Sequence, residues 1–282
     1  MTSIVIAAHN EQAVIGRTLD ALLSDPANSG VEIIVVANGC TDATAQVATR
    51  PGVRVLEVAE RGKANALNAG DAVAVSFPRL YLDADITVPR GGVRALVDAL
   101  GTTGALAAVP GRRLALHGRP LPVRAYFAIH SRLPVFRMGL FGRGLVALSQ
   151  GGRARFGEFP AIVADDLFLD SLVSDQERVS VPDVEVVVET PFDTRSLVRR
   201  LVRVRRGNAA LRELGSSGLA TVRPSDRWSW LRDVVLTDLR LAPAGVVYAA
   251  LTTWAALAAR RGARTSLAWD RDESTRSATS GA

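Results

Sequence analysis

The chain has 282 residues, 48% of them hydrophobic, enough for one large domain with a substantial core. Its single cysteine, Cys40, excludes an intramolecular disulfide framework, and with only three histidines beside it a Cys/His zinc cluster is excluded too. The 34 basic and 28 acidic residues leave a net charge of +6, which favours a phosphate-bearing partner: nucleotide, nucleic acid or an anionic membrane.

Residues 3–8 (SIVIAA) form a short β-branched run and read as a buried strand. Residues 9–25 follow with apolar side chains at helical spacing (Val14, Ile15, Leu19, Leu22, Leu23) and Asn10 as the candidate N-cap. A second strand is expected over 31–38 (VEIIVVAN), a second helix over 41–50, a third strand over 53–59, a third helix over 63–75, and a fourth strand over 79–85 (RLYLDAD). Strand alternating with helix at this pace predicts an α/β fold with a mostly parallel sheet. Ligands of such sheets bind at the carboxyl ends of the strands. His9, Asn10, Asn38, Gly39, Asp83 and Asp85 all fall at such ends. If the strand ran through both Asp83 and Asp85, their carboxylates would share one face and repel, unless a cation or open water met them.

The second half is less regular. A helix is expected over 93–101, then strand, break and strand over 105–116, and a helix through 125–133 that Pro134 ends. Residues 142–160 read as glycine-rich loop, strand and turn, and 164–173 (ADDLFLDSLV) as a helix with two acids in its first turn, where the helix dipole favours them. A strand over 179–190 precedes an arginine-dense helix, 195–212 (RSLVRRLVRVRRGNAALR). Composition shifts near 215: residues 216–230 look like a linker, and 241–259 carry no charge between Arg240 and Arg260. That length can cross a bilayer. Alanine dominates it, however, so an interfacial helix or one packed on the domain is the expectation. The division expected is a catalytic domain over 1–215, a C-terminal helical segment over 216–269 and a disordered polar tail over 270–282.

The ordered set AAHNE, VVANGCTDAT, GKANALNAG, YLDAD and ADDLFL resembles family 2 glycosyltransferases of the GT-A fold, across about residues 3–215. The resemblance implies transfer of a single sugar from a nucleotide-diphosphate donor to an acceptor hydroxyl, with Mg²⁺ or Mn²⁺ and inversion at the anomeric carbon. It implies Asp85 as the metal ligand and Asp83 as a contact to the donor ribose or a metal-bound water. Asn10 and Glu11 fall in the loop that meets the nucleoside. Asn38 stands where relatives often carry an acid that reads uracil; an amide both donates and accepts and can still read a base edge, but the departure weakens the case for UDP and keeps GDP and dTDP open beside it. Lys63 is expected near the donor phosphates, with Arg61 as a helper. Asp166 is expected as general base, with Glu158 and Asp170 as weaker candidates. The arginine run replaces a Gln-x-x-Arg-Trp motif of processive relatives, and Arg203 is the candidate diphosphate clamp. The missing motif argues against a polymer synthase. The acceptor is open between a lipid-linked and a small molecule, and the basic charge brings no nucleic-acid motif with it. With a strand pattern at the N-terminus and no leader ahead of it, the expected location is the cytoplasm or the inner face of the cell membrane. The rival readings are a catalytically inactive sugar-nucleotide binder and a nucleotidyltransferase; the latter lacks the glycine-rich basic loop after its first strand.

Overall fold

The computed structural model describes residues 1–162, 164–215 and 226–261. Chain order is β1 (Thr2–Ala8), α1 (Ile15–Leu23), β2 (Val31–Asn38), α2 (Thr44–Ala48), β3 (Val53–Val58), α3 (Lys63–Val73), β4 (Arg79–Asp83) and α4 (Gly92–Thr103). There follow β5 (Ala107–Ala115), α5 (Leu121–His130), α6 (Pro134–Met138), β6 (Leu145–Leu148), α7 (Gln150–Arg153), α8 (Asp165–Ser171), β7 (Arg178–Glu189), α9 (Thr194–Gly215) and α10 (Ala242–Arg261). The chain separates into two compact units. One holds Met1–Arg113 and Leu140–Val188; the other holds Leu114–Gly139 and the chain from Glu189 onward.

The first unit is built on a sheet of order β3-β2-β1-β4-β6-β5-β7. The pairs β1–β2, β1–β4 and β2–β3 are parallel, whereas β6 is antiparallel to both β4 and β5. β1 lies inside the sheet between β2 and β4 and every one of its residues is buried, which is why its run from Ile4 to Ala8 is continuously apolar and not alternating. Ile4, Ile6, Ile33, Val35, Leu80 and Leu82 face Ile15, Leu19 and Leu22 of α1 and Leu96 and Leu100 of α4. The connection from β1 runs to one side and that from β3 returns to the other, so the order reverses between β1 and β4. In open α/β sheets such a reversal marks where ligands bind, at the carboxyl ends of those strands.

Several expected boundaries shift. α1 begins at Ile15, with Val14 at its cap. Asn10 has a left-handed φ of 53° and its side chain is bonded to Thr41, so it is no N-cap; the carbonyl of Glu11 accepts from Val14 and Ile15 and turns the chain into the helix. β4 stops at Asp83, and Ile86 donates back to the Asp83 carbonyl at 3.2 Å. Asp85 therefore sits in a turn, where strand alternation no longer dictates its direction. β5 runs unbroken through Pro110 and Gly111. The Pro110 carbonyl accepts from Arg143, and a Cβ on Gly111 would come within 2.7 Å of the Pro182 carbonyl oxygen, so glycine lets β7 pass close by. Pro134 opens α6 as its first residue, and the preceding helix has already stopped at His130. The turn expected after β6 holds the short helix α7, which Ser149 caps by accepting from Gly152.

The second unit contains α5, α6, α9 and α10. Val123, Tyr126 and Phe127 of α5, Leu197 and Leu201 of α9, and Leu251 and Ala255 of α10 form its core. The compact division thus groups α9 with the C-terminal helix, where the sequence had suggested a boundary after 215. Residues 230–235 form a π-helical turn and 239–241 a 3₁₀ turn. Most of the linker-like stretch and the whole polar tail lie outside the described residues. Leu239–Arg261 is long and apolar enough to cross a membrane, with a mean hydropathy of 1.5.

Candidate active site

Lys63 is the first residue of α3, and two neighbours hold it there. Asn38, the last residue of β2, is fully buried. Its Nδ2 donates to the Glu60 carbonyl at 2.5 Å and its Oδ1 accepts from the Gly62 amide at 2.7 Å. The Asn38 amide thus fastens the 60–62 loop immediately before Lys63. The buried His9 donates through Nδ1 to the Asn38 carbonyl at 2.7 Å, and so joins the ends of β1 and β2.

The Lys63 ammonium lies 2.7 Å from Asp83 Oδ1 and 2.9 Å from Asp165 Oδ2. Burial alone would lower its pKa. The carboxylates of Asp165, Asp83 and Asp166 outweigh burial and raise it well above the usual lysine value. The cation sought beside the strand-end acids is therefore, in part, this lysine. Asp83 is fixed by its amide, which donates to the Gly144 carbonyl at 2.8 Å. Gly144 has φ +69°, and a Cβ there would meet Ile86 at 2.4 Å and the Asp83 carboxylate at 3.2 Å. The glycine-rich loop is thus shaped to pass over Asp83.

Asp165 and Asp166 open α8. Asp166 Oδ2 accepts from the Gly142 amide and Oδ1 from the Leu167 amide, both at 2.8 Å. Its pKa is pushed up to about 6, by burial first and by the Asp165 charge second; Lys63 and the Gly142 N–H pull the other way. Two adjacent carboxylates thus part in character: Asp165 is the partner of Lys63, and Asp166 is the acid whose proton is held near neutrality. Gly142 is itself tied by Arg112, which donates to its carbonyl at 2.9 Å. Asn68 of α3 exchanges two hydrogen bonds with the Phe159 backbone, 3.1 and 2.7 Å, and so fastens α3 to the segment leading into α8.

Asn10 is wedged against the 39–41 loop: its Oδ1 accepts from the Thr41 amide at 2.7 Å. Glu11 follows, buried, its amide donating to Thr44 Oγ1 at 2.6 Å. Both stand at the carboxyl end of β1, on the same edge of the sheet as Asp83. Asp85 is half-buried in the turn after β4. Arg61 and Glu158 are exposed. Asp170 is corrected from candidate base to structural acid: it is 1% exposed, pairs with Arg178 and accepts from the Leu140 amide. Arg203 is carried by α9 in the second unit, half-buried.

Among the described residues, no group of three or more His, Cys, Asp or Glu could hold a metal ion by itself. The carboxylates at this edge are those of Asp83, bonded to Lys63, and of Asp85 in the turn after it. That set fits a hard cation whose coordination is completed by substrate phosphates, as Mg²⁺ sites commonly are.

A mostly parallel, mixed sheet with a reversal of strand order, carrying acids and a lysine at its carboxyl edge, agrees with the GT-A fold. Residues 3–156 match glycosyl transferase family 2, more than half of the chain, and the protein belongs to that family. Its fold is similar to that of the mannosyltransferase PcManGT from Pyrobaculum calidifontis, solved with GDP-Man and Mn²⁺: TM-score 0.59, 23% identity, covering 91% of this chain and 75% of that one. It is also similar to S. aureus TarS solved with UDP-GlcNAc: TM-score 0.51, 14% identity, covering 67% of this chain and 58% of that one. A longer TarS structure, at TM-score 0.52, is spanned over only 37% of its length. No curated protein matches the sequence.

Proposed function

We propose that the protein transfers a single sugar from a nucleotide-diphosphate donor to an acceptor hydroxyl, with inversion, and that Asp166 is the general base. The observation that carries this is the divided acid pair: Asp165 neutralised by Lys63, and Asp166 held by two backbone amides with its pKa near 6. A carboxylate so placed accepts the acceptor's hydroxyl proton as that oxygen attacks the anomeric carbon, opposite the departing diphosphate. Lys63 supplies positive charge at this edge of the sheet, and Asp85 would hold Mg²⁺ or Mn²⁺ together with the donor's phosphates. When bound, the cation offsets the charge that builds on the diphosphate as the glycosidic bond breaks.

Asn10 and Glu11 border the nucleoside end of the donor site in this reading, and Asp83 is left for the ribose side. Arg203 keeps its part as diphosphate clamp on the strength of its place in the arginine run alone. UDP-GlcNAc and GDP-Man, bound by the similar structures, are the donors to try first. The reaction is placed in the cytoplasm or at the membrane's inner face. The test is release of nucleoside diphosphate from each donor, with water or added alcohols as acceptors. Metal-dependent release by the wild type that Asp166→Asn abolishes supports the reading; release unchanged by the substitution removes Asp166 as base.

A further inference from the structure

α10 is apolar on nearly every side, yet it is buried on only one. Leu251 and Ala255 enter the core with α5 and α9, and Gly245 packs on Val235 and Trp230. Pro243, Val246, Ala250, Trp254 and Leu257 follow one another at helical spacing on the exposed side, and Arg260 and Arg261 close the row. Val246 is 70% exposed and Trp254 60%, and the neighbouring Leu239 and Leu121 reach 70% and 74%. A surface helix normally turns a polar face outward. Here the outward face is apolar and contains a tryptophan.

Beside it, α5 and the start of α10 enclose a furrow of about 620 Å³. Phe127, Ala244 and Val247 contribute to its apolar lining; Arg124, Arg132 and Arg240 also line it, and no acid does. All three arginines are exposed. Asp238, the nearest acid in sequence, turns its carboxylate onto the Arg240 amide.

We propose that this face of the second unit docks on an anionic phospholipid membrane, with Trp254, Val246 and Leu257 entering the interface and Arg124, Arg132 and Arg240 meeting lipid phosphates. The furrow would take an acyl chain below its phosphate. Charge decides the occupant: an apolar patch beside a furrow lined by three arginines and no acid matches anionic headgroups, and tryptophan is suited to the boundary between headgroup and chain. α10 lies along the surface and does not cross it. A crossing would draw its partner α9 into the bilayer, with Arg199, Arg200, Arg203, Arg205 and Arg206. This inference is independent of the catalytic reading, since either can fail alone.

The test is sedimentation of the full chain with vesicles of phosphatidylcholine alone and of phosphatidylcholine mixed with phosphatidylglycerol. Binding is expected only to the mixed vesicles, weakening as salt rises. Arg132→Gln with Arg240→Gln should weaken it roughly thirtyfold, and Trp254→Ser with Leu257→Ser should remove it while the melting temperature holds. Should any variant fail to fold, the wild-type lipid and salt comparison still decides. Equal binding to both vesicles would overturn the proposal, as would binding to neither. A concentration-dependent dimer that Trp254→Ser splits, without vesicle binding, would also overturn it and assign the face to a second copy of the chain.

Discussion

The backbone amide of Gly142 donates to Asp166 Oδ2 at 2.8 Å, so the acid is aimed by a loop that comes from a different part of the chain. An amide in place of the carboxylate cannot take a proton. Asp166→Asn should lower turnover by about 10²–10⁴-fold, the usual contribution of a general base. Donor affinity should stay within a factor of two or so of wild type, because the nucleotide is met by other residues. Steady-state rates and a donor titration measure the two effects separately.

The raised pKa sets a pH profile. Asp166 must be ionised to act, so kcat/KM should climb with pH to a plateau, with its midpoint near the value of about 6 for the free protein. Asp165→Asn removes a repelling charge and should move that midpoint to lower pH. A midpoint that stays in place would mean another group governs the limb.

The same group makes stability depend on pH. The folded-state pKa lies above the unfolded one, so the folded protein holds this proton more tightly. The stabilising contribution is present at low pH and is lost as pH rises from about 4 through about 6. At roughly 1.4 kcal/mol per pKa unit the loss is at most about 3 kcal/mol. Asp166→Asn lacks it, so the change in unfolding free energy between pH 4 and pH 7 should be more favourable in the variant. Urea unfolding at the two pH values measures the difference.

Asn38 is expected to matter through the loop it fastens. Asn38→Ala leaves the Glu60 carbonyl and the Gly62 amide without their partner and should cost on the order of 2–3 kcal/mol. Lys63 follows that loop directly, so donor binding should weaken in the same variant even where it remains folded. Calorimetric unfolding and donor titration read the two effects.

The strands, their order along the chain and the polar residues at their ends were legible because each is a local pattern: apolar runs closed by Asn38-Gly39 or Asp83. Boundaries decided by distant contacts were not. α1 starts late because Asn10 is claimed by Thr41, and β5 survives Pro110-Gly111 because β7 passes at Pro182. In the site, the individual acids were legible and their partners were not. Nothing local joins Lys63 to Asp165, assigns Asp170 to Arg178, or sets the Asn38 amide against Glu60 and Gly62. Those pairings come from the packing of α3, α8 and the loops against one sheet edge. Asn68 and Arg112 were missed for the same reason: a side chain bonded to remote backbone leaves no periodic trace.

The central claim is a donor site that needs Asp85 and a divalent cation, and calorimetric titration tests it most directly. Wild type and Asp85→Ala would each be titrated with UDP, GDP and dTDP, with and without Mn²⁺. The expected result is binding of one nucleotide that requires the metal and is weakened at least tenfold by Asp85→Ala, about 1.4 kcal/mol. Binding of none of the three, or affinity indifferent to both the metal and Asp85, would contradict it.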